Sequence, residues 1–123
     1  MALQNLKPVS RRWVFAHMTD SSTASSAFAL SPFRGRIVKA GSVIYNAITG
    51  TNSAMTVKIA GTTVTGLAWT ITQSGSAAGD YDEGFPTALS TTYVKEGDNI
   101  EFVSDGAAST ACPTTCFAEI EMD

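Results

Sequence analysis

The clearest alternation of apolar and polar residues lies between Ala54 and Thr72. Every second residue from 55 to 59 is apolar, which predicts a strand with one buried face. Ala60-Gly61 then interrupts the run, and a two-residue hairpin turn fits there because glycine readily adopts a positive φ. After Gly66 a second alternating run turns Trp69 inward. The segment is therefore predicted to form a three-stranded meander that other strands must cover.

Similar runs along the rest of the chain predict about eight strands and no substantial helix. The first, Arg11–Thr19, is apolar on both faces, which predicts that both faces are covered. No window shows the i, i+3, i+4, i+7 spacing of an amphipathic helix. We expect an all-β fold, an antiparallel β-sandwich of jelly-roll type. The other predicted strands are 27–30, 35–39, 42–48 (separate from 35–39 or continuous with it through a kink), 91–95, 99–104 and 116–122.

The 123 residues fit a single β-sandwich domain, residues 11–123, preceded by an extended arm, residues 1–10. The arm holds two isolated leucines, Leu3 and Leu6, and Pro8, which biases the preceding residue toward extended geometry. A frayed terminus is one interpretation of the arm. Insertion of the two leucines into a neighbouring subunit is the other.

Charge is sparse and unevenly distributed. Charged residues make up 15% of the chain, below the ~25% of ordinary soluble domains. The net charge of −3 gives no argument for a nucleic-acid partner. Basic residues dominate before residue 40, and acidic residues dominate from Asp80 onward. Either the first and last strands lie side by side, so that opposite charges pair across them, or a basic pole docks on an acidic partner.

Neither a membrane span nor a signal peptide is evident. No apolar run approaches the ~20 residues that cross a bilayer, and no charged segment precedes an apolar one as in a leader. We expect synthesis in a cytoplasm and no membrane partner.

Candidate chemistry is limited to one acidic cluster. Asp80, Asp82 and Glu83 could contribute to a Ca²⁺ site, since Ca²⁺ takes roughly 6–8 oxygen ligands, but the 12-residue loop pattern is missing and a solvated acidic loop is the alternative. His17 is the only histidine and is expected in the core or an interface. No nucleophile elbow, phosphate loop or dinucleotide motif occurs, so we expect no enzyme and no cofactor.

The two cysteines, Cys112 and Cys116, could close a small loop if their Cα atoms lie within ~7 Å. A disulfide suits a protein that ends outside a cell, and two reduced thiols suit one that does not. A zinc site would need two more ligands and is not expected.

Four segments resemble the head decoration, or cement, proteins of tailed bacteriophages. They are VKIAGTTVTG at 57–66, SGSAAGD at 74–80 after the tryptophan-bearing strand, Pro86-Thr87, and EGDNIEFVSDGAAS at 96–109. Together they lie within a little under half of the chain.

This resemblance implies a homotrimeric β-sandwich on the outer capsid surface of a virion, made in the host cytoplasm, which binds the major capsid protein and ties neighbouring capsomers together. On this hypothesis, residues 1–16 supply the capsid and subunit contacts. The candidate contact residues are Leu3, Leu6, Arg11, Arg12 and Trp13.

Two other functions remain open. A carbohydrate-binding or adhesive module is one, because Trp69, Tyr81, Phe85 and Tyr93 lie near predicted loops. That interpretation loses Trp69 if its side chain points inward. A virion fibre or tail component is the other, and it differs from a decoration protein only in its place on the particle.

Overall fold

The computed structural model describes residues 10–123, which form nine β-strands in two antiparallel sheets. The strands are β1 (Arg11–Met18), β2 (Ser25–Leu30), β3 (Gly35–Ile44), β4 (Ser53–Ile59), β5 (Thr62–Ile71), β6 (Tyr81–Gly84), β7 (Tyr93–Val94), β8 (Asn99–Ser104) and β9 (Thr114–Met122). One turn of 3₁₀-helix, Leu89–Thr91, precedes β7. The all-β sandwich predicted from the sequence is confirmed, with one strand more than expected.

The strands pair as a nested series. β4 pairs with β5, β3 with β6 and β7, β2 with β8, and β1 with β9. The pairing of β3 with β9 completes sheet one, whose order is β1-β9-β3-β6, with β7 also paired to β3. The pairing of β4 with β8 completes sheet two, whose order is β2-β8-β4-β5. Nested pairs distributed over two sheets are the arrangement of a jelly roll, as the sequence predicts.

The core lies between the two sheets and is built by residues of period two. In β4, Met55, Val57 and Ile59 are buried, and in β8 Ile100 and Phe102 are fully buried. Trp69 points inward, as predicted, and is 6% exposed. Its indole Nε1–H donates to Ser42 Oγ at 2.8 Å and so links the two sheets.

The turn at Ala60-Gly61 is confirmed, but the three-stranded meander is not. Ala60 and Gly61 have φ values of 48° and 87°, the two positive angles that a type I′ hairpin turn requires. Residues 62–71 form one strand rather than two. Gly66, at φ 79°, lies inside that strand, beside a register shift between Thr56 and Lys58 of β4. A positive-φ glycine therefore forms a bulge here instead of a turn.

One open alternative is resolved, and two other expectations are corrected. Residues 35–44 form a single strand, whose irregularity lies between Ile37 and Lys39. The predicted strand 91–95 shortens to Tyr93–Val94. The segment expected to be an acidic loop contains β6, which pairs with Ala40–Val43 of β3. Pairing with β3 gives this polar segment its strand geometry, which its own sequence does not predict.

The predicted arm falls almost wholly on residues outside the described range, including Leu3 and Leu6. Its last residue, Ser10, accepts a hydrogen bond from Met122 N–H at 2.8 Å. Within residues 10–123, no helix is long and apolar enough to cross a membrane.

Candidate functional site: an aromatic sheet face

The outer face of sheet one carries a group of solvent-exposed aromatic side chains. Alternation directs Trp13, Phe15 and His17 of β1 outward, while Ala16 and Met18 enter the core. The expectation that both faces of this strand are covered is therefore wrong, because sheet two covers only one of them. The exposed aromatic residues of this face are Trp13 (44% exposed), Phe15 (64%), Tyr45 (51%), Tyr81 (64%) and Tyr93 (58%). We call them, with the more buried Phe117 at their centre, the aromatic face.

Phe117 anchors the middle of the aromatic face. It is opposite Phe15 on β1 and Gly41 on β3. A Cβ atom at position 41 would lie 2.6 Å from Phe117 Cζ, so glycine leaves the space that the ring occupies. The Trp13 ring packs against Phe117 with centroids 5.2 Å apart. Lys39 Nζ lies 5.0 Å from the Trp13 centroid, within range of a cation–π contact. These contacts hold Trp13 in place while leaving much of its ring in solvent.

At one end of the face, Tyr45 is fixed by two neighbours. Its hydroxyl lies 2.6 Å from Thr115 Oγ1, and its ring centroid is 6.1 Å from that of His17. His17 is exposed beside it and does not belong to the core, and a place in an interface with another chain stays a prediction.

The other end of the face holds a network of ion pairs. Arg11 contacts Glu119 at 3.3 Å and Glu121 at 3.1 Å. Arg36 contacts Glu121 at 3.7 Å, and Lys39 contacts Glu83 at 3.4 Å. The pairing of β1 with β9 confirms the prediction that the first and last strands lie side by side. Basic and acidic side chains balance in this network, so it adds no net charge to the face.

The predicted contact residues divide between the face and its surroundings. Arg11 and Trp13 belong to the face. Arg12 alternates away from it, is exposed, and has no ion pair within residues 10–123. Sequence reasoning did not identify Phe15, Tyr45 or Phe117 as surface features. Alternation along β1 places Phe15 on the same face as Trp13 and His17. Alternation alone does not show whether another strand covers that face.

Residues named for glycan binding are also separated. Tyr81 and Tyr93 belong to the aromatic face, Phe85 is exposed just after β6, and Trp69 is in the core. Two further exposed apolar side chains, Phe28 and Leu30, project from β2 on the opposite sheet.

The three acidic candidates are directed apart. Asp80 Oδ2 accepts a hydrogen bond from Ala77 N–H at 2.9 Å, and Glu83 pairs with Lys39 on the aromatic face. Asp82 alternates to the other side of β6, where burial, and secondarily the charge of Asp80, raises the pKa of its carboxyl. In the part of the chain that the structure describes, no three His, Cys, Asp or Glu side chains are grouped so that they could hold a metal ion.

Cys112 and Cys116 are both buried as free thiols. Cys112 Sγ lies 3.3 Å from Asn46 O. Burial raises the pKa of the Cys116 thiol to about 12, so this thiol is neutral at physiological pH.

A cavity of about 250 Å³ lies where β1 ends, lined by residues that include His17, Asp20 and Ser26. The Asp20 carboxylate accepts hydrogen bonds from the Ser22 hydroxyl, the Cys112 N–H, the Ser22 N–H and the Thr23 hydroxyl. These bonds, the Ser22 hydroxyl first, lower the pKa of Asp20 to about 2. Its oxygens are thereby committed to holding the β1–β2 loop.

Comparison with solved structures finds chains that superpose on this one. A chain of the cyanophage Pam1 capsid asymmetric unit superposes with a TM-score of 0.53 at 11% identity, over 96% of this chain and 92% of that one. CsCBM6-3 from Clostridium stercorarium in complex with cellobiose gives 0.47 at 10% identity, over 82% and 69%. The Bacillus endospore appendage structure gives 0.41 at 16% identity, over 96% and 92%.

No protein-family model and no curated protein sequence matches the chain. At such identities, the capsid likeness shows a shared fold. The chain is a β-sandwich of a kind that also occurs, at nearly the same length, in a phage capsid asymmetric unit.

Proposed function

We propose that the protein is a non-enzymatic structural component of a phage virion, a decoration or cement protein. It binds the major capsid protein on the outer capsid surface and stabilises contacts between capsomers. The observation that carries the proposal is the aromatic face, where five aromatic side chains are at least 44% exposed on one side of sheet one.

The composition of this face is that of a protein-binding surface. Trp, Tyr, Phe and Arg are enriched at interfaces, and Trp, Tyr and Arg are enriched among the residues that contribute most of the binding energy. Scattered apolar residues are normal on a protein surface, whereas a contiguous apolar patch marks an interaction site. Trp13 and Phe15 lie on one strand and flank Phe117, so they form one patch rather than isolated exposures.

The charged side chains around the aromatic face are paired with one another, so a partner protein can bury them. Arg11, Glu119 and Glu121 already satisfy one another within the chain. When a partner covers these side chains, each charge keeps its counter-ion. A buried charge without a counter-ion, which would be costly, is therefore avoided. A broad partner surface can therefore cover both the aromatic residues and the ion-pair network.

The shared fold supports the proposal. A chain of similar length and fold occurs in a cyanophage capsid asymmetric unit. The predicted contacts of Leu3 and Leu6 come from the sequence of the arm, and the homotrimer comes from the sequence resemblance. Deleting residues 2–10 tests the arm, because unchanged capsid binding and unchanged oligomer size would exclude a role for it.

Co-sedimentation with capsids tests the proposal directly. The partner is the empty, undecorated head of the phage whose genome encodes this chain. The test variant replaces three exposed residues of the aromatic face (Trp13→Ala, Tyr45→Ala, Tyr81→Ala). We expect its affinity for the heads to fall by tenfold or more, since a single hot-spot residue contributes ~2 kcal/mol and ~1.4 kcal/mol is a factor of ten.

The matched control removes exposed apolar surface from the opposite sheet, through Phe28→Ala and Leu30→Ala. We expect this variant to bind like the unaltered protein. Equal binding by both variants, or a loss confined to the control, would contradict the assignment of the aromatic face. Electron microscopy of decorated heads then locates the protein and separates the capsid surface from a fibre or tail.

Glycan binding is the second candidate, because Trp13, Tyr45 and Tyr81 present exposed rings on the same sheet. Trp13 is the exposed tryptophan and Trp69 the buried one, so a glycan stacked on this face changes the emission of Trp13. Titration of the unaltered protein and of Trp13→Phe with a glycan panel tests this. A saturable change that disappears in Trp13→Phe would favour an adhesive module over a decoration protein.

A further inference from the structure

One side of the sandwich is closed and the other is open. On the closed side, Gly84 of β6 lies against Ala68 of β5 so tightly that a Cβ at position 84 would collide with the Ala68 carbonyl oxygen. The following segment adds a hydrogen bond from Thr87 N–H to Thr65 O at 3.0 Å. A further bond runs from Thr65 N–H to Thr91 Oγ1 at 2.9 Å. On the open side, β1 and β2 end their sheets, and within residues 10–123 no further strand pairs with either of them.

Strand β1 lacks the features by which edge strands normally avoid pairing. Its eight residues contain no proline, and they pair with β9 in continuous register, without a bulge. Its only charges are Arg11 and Arg12, both at its start. Long, regular and partly apolar edges of this type are templates for another strand. Strand β2 is shorter, with six residues, and Pro32 follows shortly after it.

The hydrogen bonding of β1 shows which backbone groups face outward from the sheet. Ser10 O accepts from Met122 N–H, so Ser10 and Met122 form a hydrogen-bonded pair. Such pairs alternate along an antiparallel ladder, and the even-numbered residues of β1 therefore direct their N–H and C=O groups toward β9. The odd-numbered residues direct theirs to the open edge. Those residues are Arg11, Trp13, Phe15 and His17.

We infer that the open edge of β1 pairs with β1 of a second copy of this chain, antiparallel and about a twofold axis at Phe15. A twofold axis normal to the sheet keeps the outer face of both copies on the same side. Within residues 10–123 the odd residues of β1 offer the free backbone groups, which restricts the pairing to registers that match odd with odd. In the register centred on Phe15, Phe15 pairs with Phe15 of the second copy, and Trp13 pairs with its His17. These three symmetric pairs form about six hydrogen bonds.

The side chains of β1 complement one another in this register. Phe15 meets its symmetry mate across the junction, and Trp13 meets an imidazole, both on the aromatic side. The two cationic strand starts lie at opposite ends of the junction, which avoids repulsion. Arg12 is exposed and has no ion pair in residues 10–123, and Asp20 follows the end of β1, so antiparallel pairing brings the cationic start of each strand toward the end of the other strand, where a carboxylate lies. This charge complementarity favours a second copy over an unrelated strand.

The pairing has a consequence for recognition. Two aromatic faces become one continuous surface on a single extended sheet, doubling the area that a partner can cover. The inference does not rest on the proposed capsid role, since it concerns the edge of the sheet rather than its face. It also differs from the homotrimer that the family resemblance implies, so the mass of the free protein distinguishes the two.

Light-scattering mass measurement during gel filtration is the first test. We expect twice the 12.9 kDa of one chain for the unaltered protein. Phe15→Lys places two lysines opposite each other at the junction and is expected to give one chain. Phe28→Lys, which puts the same change at an equally exposed phenylalanine of β2, is expected to leave the pair intact. A mass of one or three chains for the unaltered protein overturns the inference, as does a Phe15→Lys protein that still pairs.

Disulfide cross-linking tests the register. In a hydrogen-bonded antiparallel pair the Cα atoms lie ~5.5 Å apart, within the range that a disulfide bridges. Oxidised Phe15→Cys is expected to form a covalent dimer. Trp13→Cys is not, because the two cysteines would lie roughly 13 Å apart along the strand. A mixture of Trp13→Cys and His17→Cys is expected to cross-link. Equal cross-linking of Phe15→Cys and Trp13→Cys alone would exclude this register. Both native cysteines are buried and do not compete.

Discussion

Burial determines the chemistry of the two cysteines. Cys112 and Cys116 are each 0% exposed. We expect neither to react with a thiol reagent at pH 8 in the folded protein, and two thiols to appear per chain in denaturant, because thiolates are the reactive form and need solvent access. Thiol counting before and after unfolding checks this. A count of zero after unfolding would show instead that the pair is oxidised.

The raised pKa of Cys116 also predicts how stability depends on pH. Burial raises its pKa from 9.0 to about 12, so the folded state keeps the proton that the unfolded chain loses first. The contribution is complete below about pH 9 and is lost as pH rises toward 12. We expect the free energy of unfolding of the unaltered protein to fall more steeply over this interval than that of Cys116→Ala. Urea titrations at several pH values measure both slopes, and parallel slopes would contradict the prediction.

At the scale of elements, the β4–β5 hairpin depends on an unusual turn residue. Ala60 adopts φ 48°, a region that costs a residue with a Cβ roughly 1–2 kcal/mol and that asparagine tolerates better. Ala60→Asn is therefore expected to stabilise the protein by up to about 1 kcal/mol. Gly61→Ala is expected to destabilise it by about 1 kcal/mol through φ alone, since no atom lies within 4 Å of the added Cβ.

Urea unfolding of the hairpin variants measures both effects. Ala68→Asn, on the exposed side of β5, serves as the control and is expected to give no stabilisation, because asparagine is disfavoured in strands. Stabilisation by Asn at position 68 as large as at position 60 would show that the turn geometry is not the cause.

The same elements show how far a sequence pattern determines a sandwich. Alternation and a glycine were sufficient to locate the Ala60-Gly61 turn. Gly66 gives the same local signal, yet there the chain continues as one strand, because a positive φ serves a bulge as well as a turn. Strand β6 has no apolar alternation and forms through pairing with β3, a contact distant in sequence. Likewise, alternation identified the apolar outer residues of β1 but not what covers them, so half of the aromatic face (Phe15, Tyr45 and Phe117) was missed.

For the whole molecule, the uneven charge along the chain is resolved by topology. The basic start and acidic end of the chain meet where β1 and β3 flank β9, and Arg11 and Arg36 share Glu121. Exposed pairs of this type contribute little stability, ~0–1 kcal/mol each. Their main effect is to leave the aromatic face without a strong field of either sign, which suits a broad and mostly apolar contact.

The two sheets are joined through the core by the hydrogen bond from Trp69 Nε1–H to Ser42 Oγ, at 2.8 Å. Ser42→Ala leaves the buried indole N–H without a partner, which costs about 1–3 kcal/mol. Trp69→Phe leaves the serine hydroxyl, only 1% exposed in the unaltered protein, without its indole donor, and it removes volume from the core as well.

Each single substitution leaves the other hydrogen-bonding group without its partner, whereas the double variant Trp69→Phe/Ser42→Ala removes both groups. We therefore expect the loss of unfolding free energy in the double variant to be smaller than the sum of the losses in the two single variants. The expected difference is about 1 kcal/mol, read from urea unfolding as a double-mutant cycle. Thr70→Ala, an exposed neighbour on β5, is expected to change stability by less than about 0.5 kcal/mol. Strict additivity of the two core changes would mean that the hydrogen bond between the sheets contributes nothing, and that packing of the indole ring alone holds them together here.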